Sequence, residues 1–213
     1  MGKSPRHVIG LTGLPSSGKG EVTGFLLASA RDRGWGAAHL SFSDQIKAEA
    51  SARGIPKGEF DRDLLSRIAI ELRQAEGPGV LAARIARKIA SWPEPMPEFF
   101  VVEALRHVGE VEALRQAFGK SFALVAVESE PRLIAARLLA RRRPDESPEA
   151  LRSEENAIAL IESELKGKLD ALGPNVGACM EHADAYMDNN GSLDELRKCV
   201  EEFLDALDRA ARP

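Results

Sequence analysis

The 213-residue chain has little of what marks several classes of protein. It has only two cysteines, Cys179 and Cys199, which are too far apart for a CxxC pair, so neither a disulfide scaffold nor a zinc ribbon is expected. No apolar run approaches the roughly 18 residues that span a bilayer, and the first six residues lack the apolar stretch of a signal peptide. We therefore expect a soluble, cytoplasmic protein without a membrane partner.

An excess of positive charge is also missing. The chain has 29 Lys and Arg against 33 Asp and Glu, a net charge of −4, whereas non-specific nucleic-acid binders carry a basic surface. No nucleic-acid partner is expected. The four histidines lack metal-ligand spacing, so no structural metal is predicted, and we interpret His7 and His39, which fall in strand-like runs, as packed side chains. The 44% hydrophobic content is that of an ordinary globular domain.

Apolar, β-rich runs alternate with helical patterns along the chain, which is typical of a parallel α/β sheet. Most of these runs are continuously apolar, as in strands that are covered on both faces. The runs are residues 7–11, 38–42, 99–102, 122–127 and, more weakly, 183–187.

Two helices are predicted between the second and third strands, and this extra pair marks the place for an acceptor-binding insertion. Asp61 is expected to cap the first of them, Gly77 to end it, and Pro78 to open the second. Near the end of the chain, Ser192 and Glu195 form a capping-box pair that predicts the last helix.

The most informative segment is residues 13–20, GLPSSGKG, which follows the first strand and opens a helix. Glycines let successive backbone N–H groups point at one anion, the helix adds its positive end, and Lys19 adds a mobile charge for the β- and γ-phosphates. This pattern predicts a phosphate-binding loop. Its candidate nucleotide-binding residues are Gly13, Pro15, Ser16, Ser17, Gly18, Lys19, Gly20 and Glu21.

One position of the loop departs from the usual pattern. The residue after the lysine is normally Ser or Thr, whose hydroxyl contacts magnesium, but here it is Gly20, followed by Glu21. Two interpretations of Glu21 stay open: its carboxylate faces away from the phosphates, or it holds magnesium through water.

With these residues the chain resembles the P-loop nucleotide kinases, adenylate kinase and dephospho-CoA kinase among them, and most closely the poorly characterised adenylate-kinase-related P-loop proteins. The resemblance implies a P-loop NTPase fold, an α/β domain over residues 1–213 with a five-stranded parallel sheet flanked by helices. It also implies a helical acceptor-binding insertion at about 44–92 and a short lid at about 137–150. The segments that carry it are residues 10–22, 42–44, 71–73, 76–79, 101–106, 125–127, 183–184 and 190–192.

The resemblance further implies roles on the acceptor side. Asp44 is placed as a general base or acceptor contact, although a helix cap explains it equally well. Arg106 is placed to grip an acceptor phosphate, and Arg73 to bind on the same side. Gly77 precedes a helix N-terminus that could meet an anion, whereas a plain helix stop explains the turn without a ligand.

On the donor side, Glu103 stands where the family usually has Asp, and it is expected to hold magnesium through water. Ala104 replaces the glycine that the family has next. Arg137 and Arg141, on one helix face with Arg142 and Arg143 beyond them, are expected in a lid over the donor phosphates; the alternative is a helix C-terminus complementing its dipole. Residues 189–191, Asn190 among them, are expected to line the adenine pocket through backbone groups, or to form a simple tight turn.

Together these residues predict an ATP- and Mg²⁺-dependent phosphotransferase. Its acceptor would be a small molecule that carries a phosphate, either a nucleoside monophosphate or a compound like dephospho-CoA. The alternative is an ATP-binding regulatory switch or slow ATPase without a small-molecule acceptor, which Gly20, Glu21 and the Glu103–Ala104 pair favour.

Overall fold

A computed structural model describes residues 4–141, 152–167 and 171–210. Five strands form one parallel sheet in the order β2-β3-β1-β4-β5. The predicted five-stranded parallel sheet is thereby confirmed. The strands are β1 (His7–Thr12), β2 (Ala37–Ser41), β3 (Phe99–Glu103), β4 (Phe122–Glu128) and β5 (Ala185–Asp188).

Helices follow each strand, and between strands they return the chain to the end of the sheet where the next strand begins, as parallel pairing requires. Short 3-10 turns cover Lys57–Glu59 and Gly119–Ser121. The α-helices of the described residues are α1 (Lys19–Asp32), α2 (Phe42–Ala52), α3 (Arg62–Glu76), α4 (Val80–Ala90), α5 (Val108–Phe118), α6 (Pro131–Arg141), α7 (Glu154–Lys166), α8 (Val176–Glu181) and α9 (Leu193–Ala210).

The sheet is covered on both faces, which explains why its strands are continuously apolar. Alternate residues of β1 point into two cores: Val8 packs with helices α2 to α5, and Ile9 packs with α1 and α9. All six residues of β1 are buried. A third, smaller cluster joins Leu14 of the loop to helices α6, α7 and α8, so the loop and these helices are packed as neighbours.

Two predicted element boundaries are wrong. The second apolar run was expected to be strand through residue 42, but the Ser41 hydroxyl accepts from the Ser43 N–H (3.1 Å) and starts α2 at Phe42. Pro78 was expected to open a helix, but it lies in a turn and α4 begins at Val80. The predicted caps at Asp61, whose Oδ1 accepts from the Leu64 N–H (2.7 Å), and at the end of α3 are confirmed.

Between β2 and β3 the chain forms three helices, α2, α3 and α4, one more than the pair predicted. The capping box between Ser192 and Glu195 at the start of α9 is confirmed. None of the helices described is both long enough and apolar enough to cross a membrane. Most of the predicted lid segment, including Arg142 and Arg143, lies outside the described residues.

Candidate active site

A cleft of about 1030 Å³ opens at the carboxyl edge of the sheet, where parallel α/β proteins bind ligands. It brings together residues from the loop after β1, the ends of β2 and β3, and helices α3, α6 and α7. The predicted site residues that line it are Pro15, Ser16, Gly18, Lys19, Gly20, Glu21, Asp44, Arg73, Glu103, Arg106, Arg137 and Arg141.

The loop between β1 and α1 has a backbone that only glycine accommodates at two positions. Gly13 (φ 137°) and Gly18 (φ 105°) both lie outside the region that side chains favour. A Cβ at Gly13 would stand 2.5 Å from the Val127 carbonyl oxygen, and one at Gly18 would stand 1.9 Å from Asn189 Nδ2. The loop is therefore pressed against the end of β4 and the residue after β5.

Polar groups of the loop are left without partners. The hydroxyls of Ser16 and Ser17 are buried and form no hydrogen bond within the described residues. Lys19 Nζ donates to the carbonyl oxygens of Gly13 (2.8 Å) and Leu14 (2.7 Å), so its ammonium folds back onto its own loop. Hydroxyls without partners and a lysine that donates to backbone carbonyls fit a loop that takes up phosphate oxygens.

The Lys19 amine has a pKa near neutral pH. This pKa is lowered to about 7, mainly by burial and also by the neighbouring Arg106, while Glu103 and Glu164 act in the opposite direction. Nearby phosphate groups would favour the ammonium form and raise this pKa. Nucleotide binding should therefore be coupled to proton uptake at this one residue.

We expect the uptake of close to one proton per nucleotide bound at about pH 8.5, where phosphate groups are already ionised. Affinity should fall by up to about tenfold per pH unit above the pKa of the free protein, since the amine must be protonated first. Calorimetry of nucleotide binding in buffers of different ionisation enthalpy measures the uptake. Lys19→Met should take up none, and an equal uptake by that variant would contradict the assignment.

The surroundings of Gly20 and Glu103 bear on magnesium. A Cβ at Gly20 would meet nothing within 4 Å, so space is there but no hydroxyl fills it. Glu103 Oε2 lies 3.1 Å from His39 Nε2 at the end of β3. No group of three or more His, Cys, Asp or Glu side chains in the described ranges is placed to hold a metal ion. Mg²⁺ held by one carboxylate, waters and substrate phosphates fits these residues.

The residue after Glu103 has a backbone conformation that favours glycine. Ala104 has φ 73°, in the left-handed region. The turn it belongs to is tied to β1, because the Leu105 N–H donates to the Leu11 carbonyl (3.2 Å) and Thr12 Oγ1 donates to the Leu105 carbonyl (3.0 Å). These two hydrogen bonds hold an alanine in a backbone conformation that favours glycine.

Ala104→Gly should raise the free energy of unfolding by about 0.5–1 kcal/mol, because relief of the left-handed strain exceeds the added entropy of the unfolded chain. Denaturant unfolding measures the change. Ala136→Gly, at an exposed mid-helix position of α6, should instead lower it by about 1 kcal/mol. A destabilised Ala104→Gly protein would contradict the strain.

Arg106 is held at the cleft by its own backbone. Its N–H donates to Glu110 Oε2 (3.0 Å), and its carbonyl accepts from the Asn175 N–H (2.7 Å). The guanidinium reaches Glu164 of α7, with Nη1 3.3 Å from Oε2. Arg62, at the start of α3, approaches the same carboxylate at 3.6 Å.

Arg73 lines the cleft and forms a buried ion pair, although its Nε is buried without a hydrogen-bond partner in the described residues. Its Nη2 lies 2.6 Å from Glu110 Oε1, with side-chain exposures of 3% and 1%, and its Nη1 donates to the Leu172 carbonyl (3.0 Å). The other carboxylate oxygen of Glu110 accepts from the Arg106 and His107 N–H groups. Arg73 therefore anchors the turn that carries Arg106.

On the donor side, Arg137 of α6 reaches the loop through two neighbours. Its Nη1 donates to Ser129 Oγ and its Nη2 to the Asn189 carbonyl, both at 2.9 Å. Asn189 Nδ2 in turn donates to the Ser17 carbonyl (2.8 Å). Arg141 lies one turn further along α6 and lines the cleft with an exposed side chain.

The remaining predicted residues are placed as follows. Asp44 lies in the first turn of α2, exposed and facing the cleft, and Ser41 rather than Asp44 caps that helix, so the capping interpretation is wrong. Gly77 ends α3 and does not line the cleft. Asn190 is exposed, accepts from the Glu130 N–H (2.6 Å) and does not line the cleft; Asn189 does.

The sequence-based prediction missed three residues that line the cleft: His39, Arg62 and Glu164. His39 is wrong as a packed side chain, because it is 35% exposed and pairs with Glu103. Asn189 belongs to the predicted segment 189–191 and does line the cleft, and Arg62 adjoins the predicted cap at Asp61. Glu164 lies in α7, where no motif pointed to a site.

The strand order, the loop with its positive-φ glycines and the lysine that follows them define a P-loop protein. A family model described as an AAA domain matches residues 12–152, more than half of the chain, and the chain belongs to this family. The predicted membership in the P-loop kinase-related proteins is thereby confirmed.

Curated relatives span nearly the whole chain. A UPF0200 protein of Methanosarcina mazei is 29% identical over 199 residues, which cover 92% of this chain and 93% of the relative. One of Pyrococcus horikoshii is 28% identical over 201 residues, with 94% and 97% covered.

Solved structures are similar at greater distance. A gluconokinase from Sinorhizobium meliloti is 19% identical, with a TM-score of 0.48 over 98% of this chain and 95% of that one. The Mycobacterium tuberculosis APS kinase CysC, in complex with AMPPNP and APS, is 15% identical, with a TM-score of 0.49 over 95% and 99%.

Proposed function

We propose that this protein transfers the γ-phosphoryl group of ATP to a small acceptor that carries a phosphate, such as a nucleoside monophosphate or dephospho-CoA. The observation that carries the proposal is the pairing of two cationic sites in one cleft. The loop with Lys19 lies on one side, and Arg106 with Arg62 lies on the other, close enough for both guanidinium groups to affect the pKa of Lys19.

In this proposal the donor phosphates lie on the N–H groups of residues 13–20, with the Lys19 ammonium beside the group that is transferred. Arg137 and Arg141 approach from α6 and neutralise charge that develops on the phosphates. Glu103 holds magnesium through water, with His39 fixing the orientation of its carboxylate. Magnesium, when bound, supplies charge neutralisation at the phosphate oxygens.

The acceptor enters between α2, α3 and the turn after β3. Arg106 binds its phosphate group, and Asp44 accepts a proton if the reacting atom is a hydroxyl oxygen. Rate enhancement comes from positioning two anionic substrates in line and neutralising their mutual repulsion. Gly77 and Asn190 are not needed for this arrangement, since neither lines the cleft.

The second candidate function is an ATP-binding switch or slow ATPase. Gly20 favours it, because the position that usually supplies a magnesium-binding hydroxyl has none, although space for one is present. A switch would bind ATP and lose phosphate slowly to water, independently of any small acceptor.

Transfer of label from γ-labelled ATP with Mg²⁺ separates the two functions. The acceptor panel holds nucleoside monophosphates, dephospho-CoA and water alone, and Lys19→Met serves as the inactive control. Label on one acceptor, absent with Lys19→Met, supports the kinase and names its substrate. Label released only as inorganic phosphate, or no label moved despite ATP binding, contradicts the kinase and favours the switch.

A further inference from the structure

Three arginines face the acceptor side of the cleft, and they differ in how well they are paired. Arg73 has a partner of its own, the buried Glu110 carboxylate at 2.6 Å. Arg62 and Arg106 instead share a single carboxylate, that of Glu164.

The shared contacts are long. Arg106 Nη1 lies 3.3 Å from Glu164 Oε2, and Arg62 Nη1 lies 3.6 Å from Oε1, whereas well-paired guanidinium and carboxylate groups approach to about 2.7–2.9 Å. Arg62 Nη1 is also buried without a hydrogen-bond partner in the described part of the chain. The single Glu164 carboxylate on α7 therefore lies between two guanidinium groups and forms a close ion pair with neither of them.

The charges of these three side chains also do not balance, and the excess is positive. Arg62 and Arg106 bring two positive charges against the single charge of Glu164, and both guanidinium groups lower the pKa of the nearby Lys19. An additional anion between the guanidinium groups would find unsatisfied donors and an excess of positive charge.

We propose that Glu164 is an internal competitor for the acceptor: its carboxylate occupies the place between Arg62 and Arg106 in the free protein and is displaced when the acceptor's phosphate group binds there. This inference rests on the proposed function, because it names the residues that hold the acceptor and the group they hold. It adds Arg62 to Arg106 as a binding residue and gives α7 a part in the site.

A phosphate monoester suits this place better than a second carboxylate does. It carries a charge of about −1.5 to −2 and three free acceptor oxygens, so it can accept from both guanidinium groups at once. A ligand carboxylate would only replace the single negative charge of Glu164 with another single negative charge. Competition by Glu164 lowers the affinity for every ligand of this place by the same factor, so the preference for phosphate comes from its larger charge and its additional oxygens.

The test uses protein saturated with Mg²⁺ and AMPPNP, so that the loop is filled, and measures the affinity for inorganic phosphate by calorimetry. Glu164→Gln removes the competing charge and should tighten phosphate binding by at least about fivefold. Arg62→Gln, with Glu164 intact, should weaken it by at least about fivefold. Glu162→Gln is the matched control on α7. Its carboxylate is exposed and lies 4.0 Å from Lys166 Nζ, which is a weak contact, so the affinity for phosphate should stay unchanged.

Several results would overturn the proposal. Phosphate affinity in Glu164→Gln that equals the wild-type value contradicts competition, and weaker affinity shows that Glu164 aligns the arginines instead. Unchanged affinity in Arg62→Gln removes Arg62 from the site, and this variant decides the matter if Glu164→Gln does not fold. Acetate binding as tight as phosphate binding contradicts the preference for phosphate.

The two proposals fail separately. If Glu164→Gln tightens phosphate binding but no acceptor receives label, the proposed kinase activity is wrong and the anion site remains. If label is transferred while both variants bind phosphate as the wild type does, only the competition by Glu164 is wrong.

Discussion

Lys19→Met is expected to slow phosphoryl transfer by at least about a hundredfold, the effect of removing one preorganised charged donor from a transition state that gathers negative charge. Methionine keeps the length of the side chain and its packing but loses the ammonium. Among the described residues, that ammonium donates to the carbonyl oxygens of Gly13 and Leu14, which are neutral, so phosphate oxygens can compete for it. The measurement is the initial rate of label transfer to the acceptor found in the panel.

The matched control is Lys198→Met, which removes an exposed lysine of α9 whose nearest partner is Glu202 at 3.8 Å. It should transfer at the wild-type rate. The circular dichroism of Lys19→Met should match that of the wild type, because methionine keeps the apolar part of the side chain. Transfer by Lys19→Met at more than about a tenth of the wild-type rate would show that the loop is not the donor site.

The second large effect is on stability. Arg73→Met is expected to lower the free energy of unfolding by about 3–5 kcal/mol, because it leaves the Glu110 carboxylate buried without its cation. Glu110 also holds the N–H groups of Arg106 and His107, so the turn that carries Arg106 should loosen with it. Urea unfolding followed by circular dichroism measures the loss.

Arg67→Met, an exposed arginine on the same helix, should change stability by no more than about 0.5 kcal/mol. The double variant Arg73→Met/Glu110→Gln should recover part of the loss, since the uncompensated charge is gone. The sequence-based prediction placed Arg73 on the acceptor. An Arg73→Met protein that keeps its stability but loses acceptor affinity would support that role over the anchoring role.

The fold was predictable because its signals are local. Continuous apolar runs marked strands that are buried on both faces, and β1 is buried along its whole length. The boundaries were less predictable where two signals competed. Phe42 extends an apolar run, yet the Ser41 hydroxyl caps a helix at that point, and the cap decides the structure.

The candidate site divides in the same way. The loop was predictable because its glycines and Lys19 are contiguous, and two of those glycines prove to be required by positive φ and close contacts. Arg106 and Glu164 lie 58 residues apart on different elements, and no spacing links them. Only the packing of α7 against α6 and α8 brings that carboxylate to the cleft.

His39 shows a further limit. A histidine within an apolar strand is predicted to be a packed side chain, and His7 is indeed buried beside Trp35 and Phe99. His39, on edge strand β2, instead turns towards the cleft and meets Glu103. Strand position in the sheet separates the two cases, and it follows from topology rather than from local pattern.

The most direct measurement is a crystal structure of the protein with Mg²⁺, AMPPNP and inorganic phosphate. The account predicts the γ-phosphate on residues 13–20 beside Lys19, and a phosphate ion between Arg62 and Arg106 in the same cleft, with Glu164 displaced. A nucleotide whose γ-phosphate lies away from Lys19, or points out of the cleft, would contradict the account.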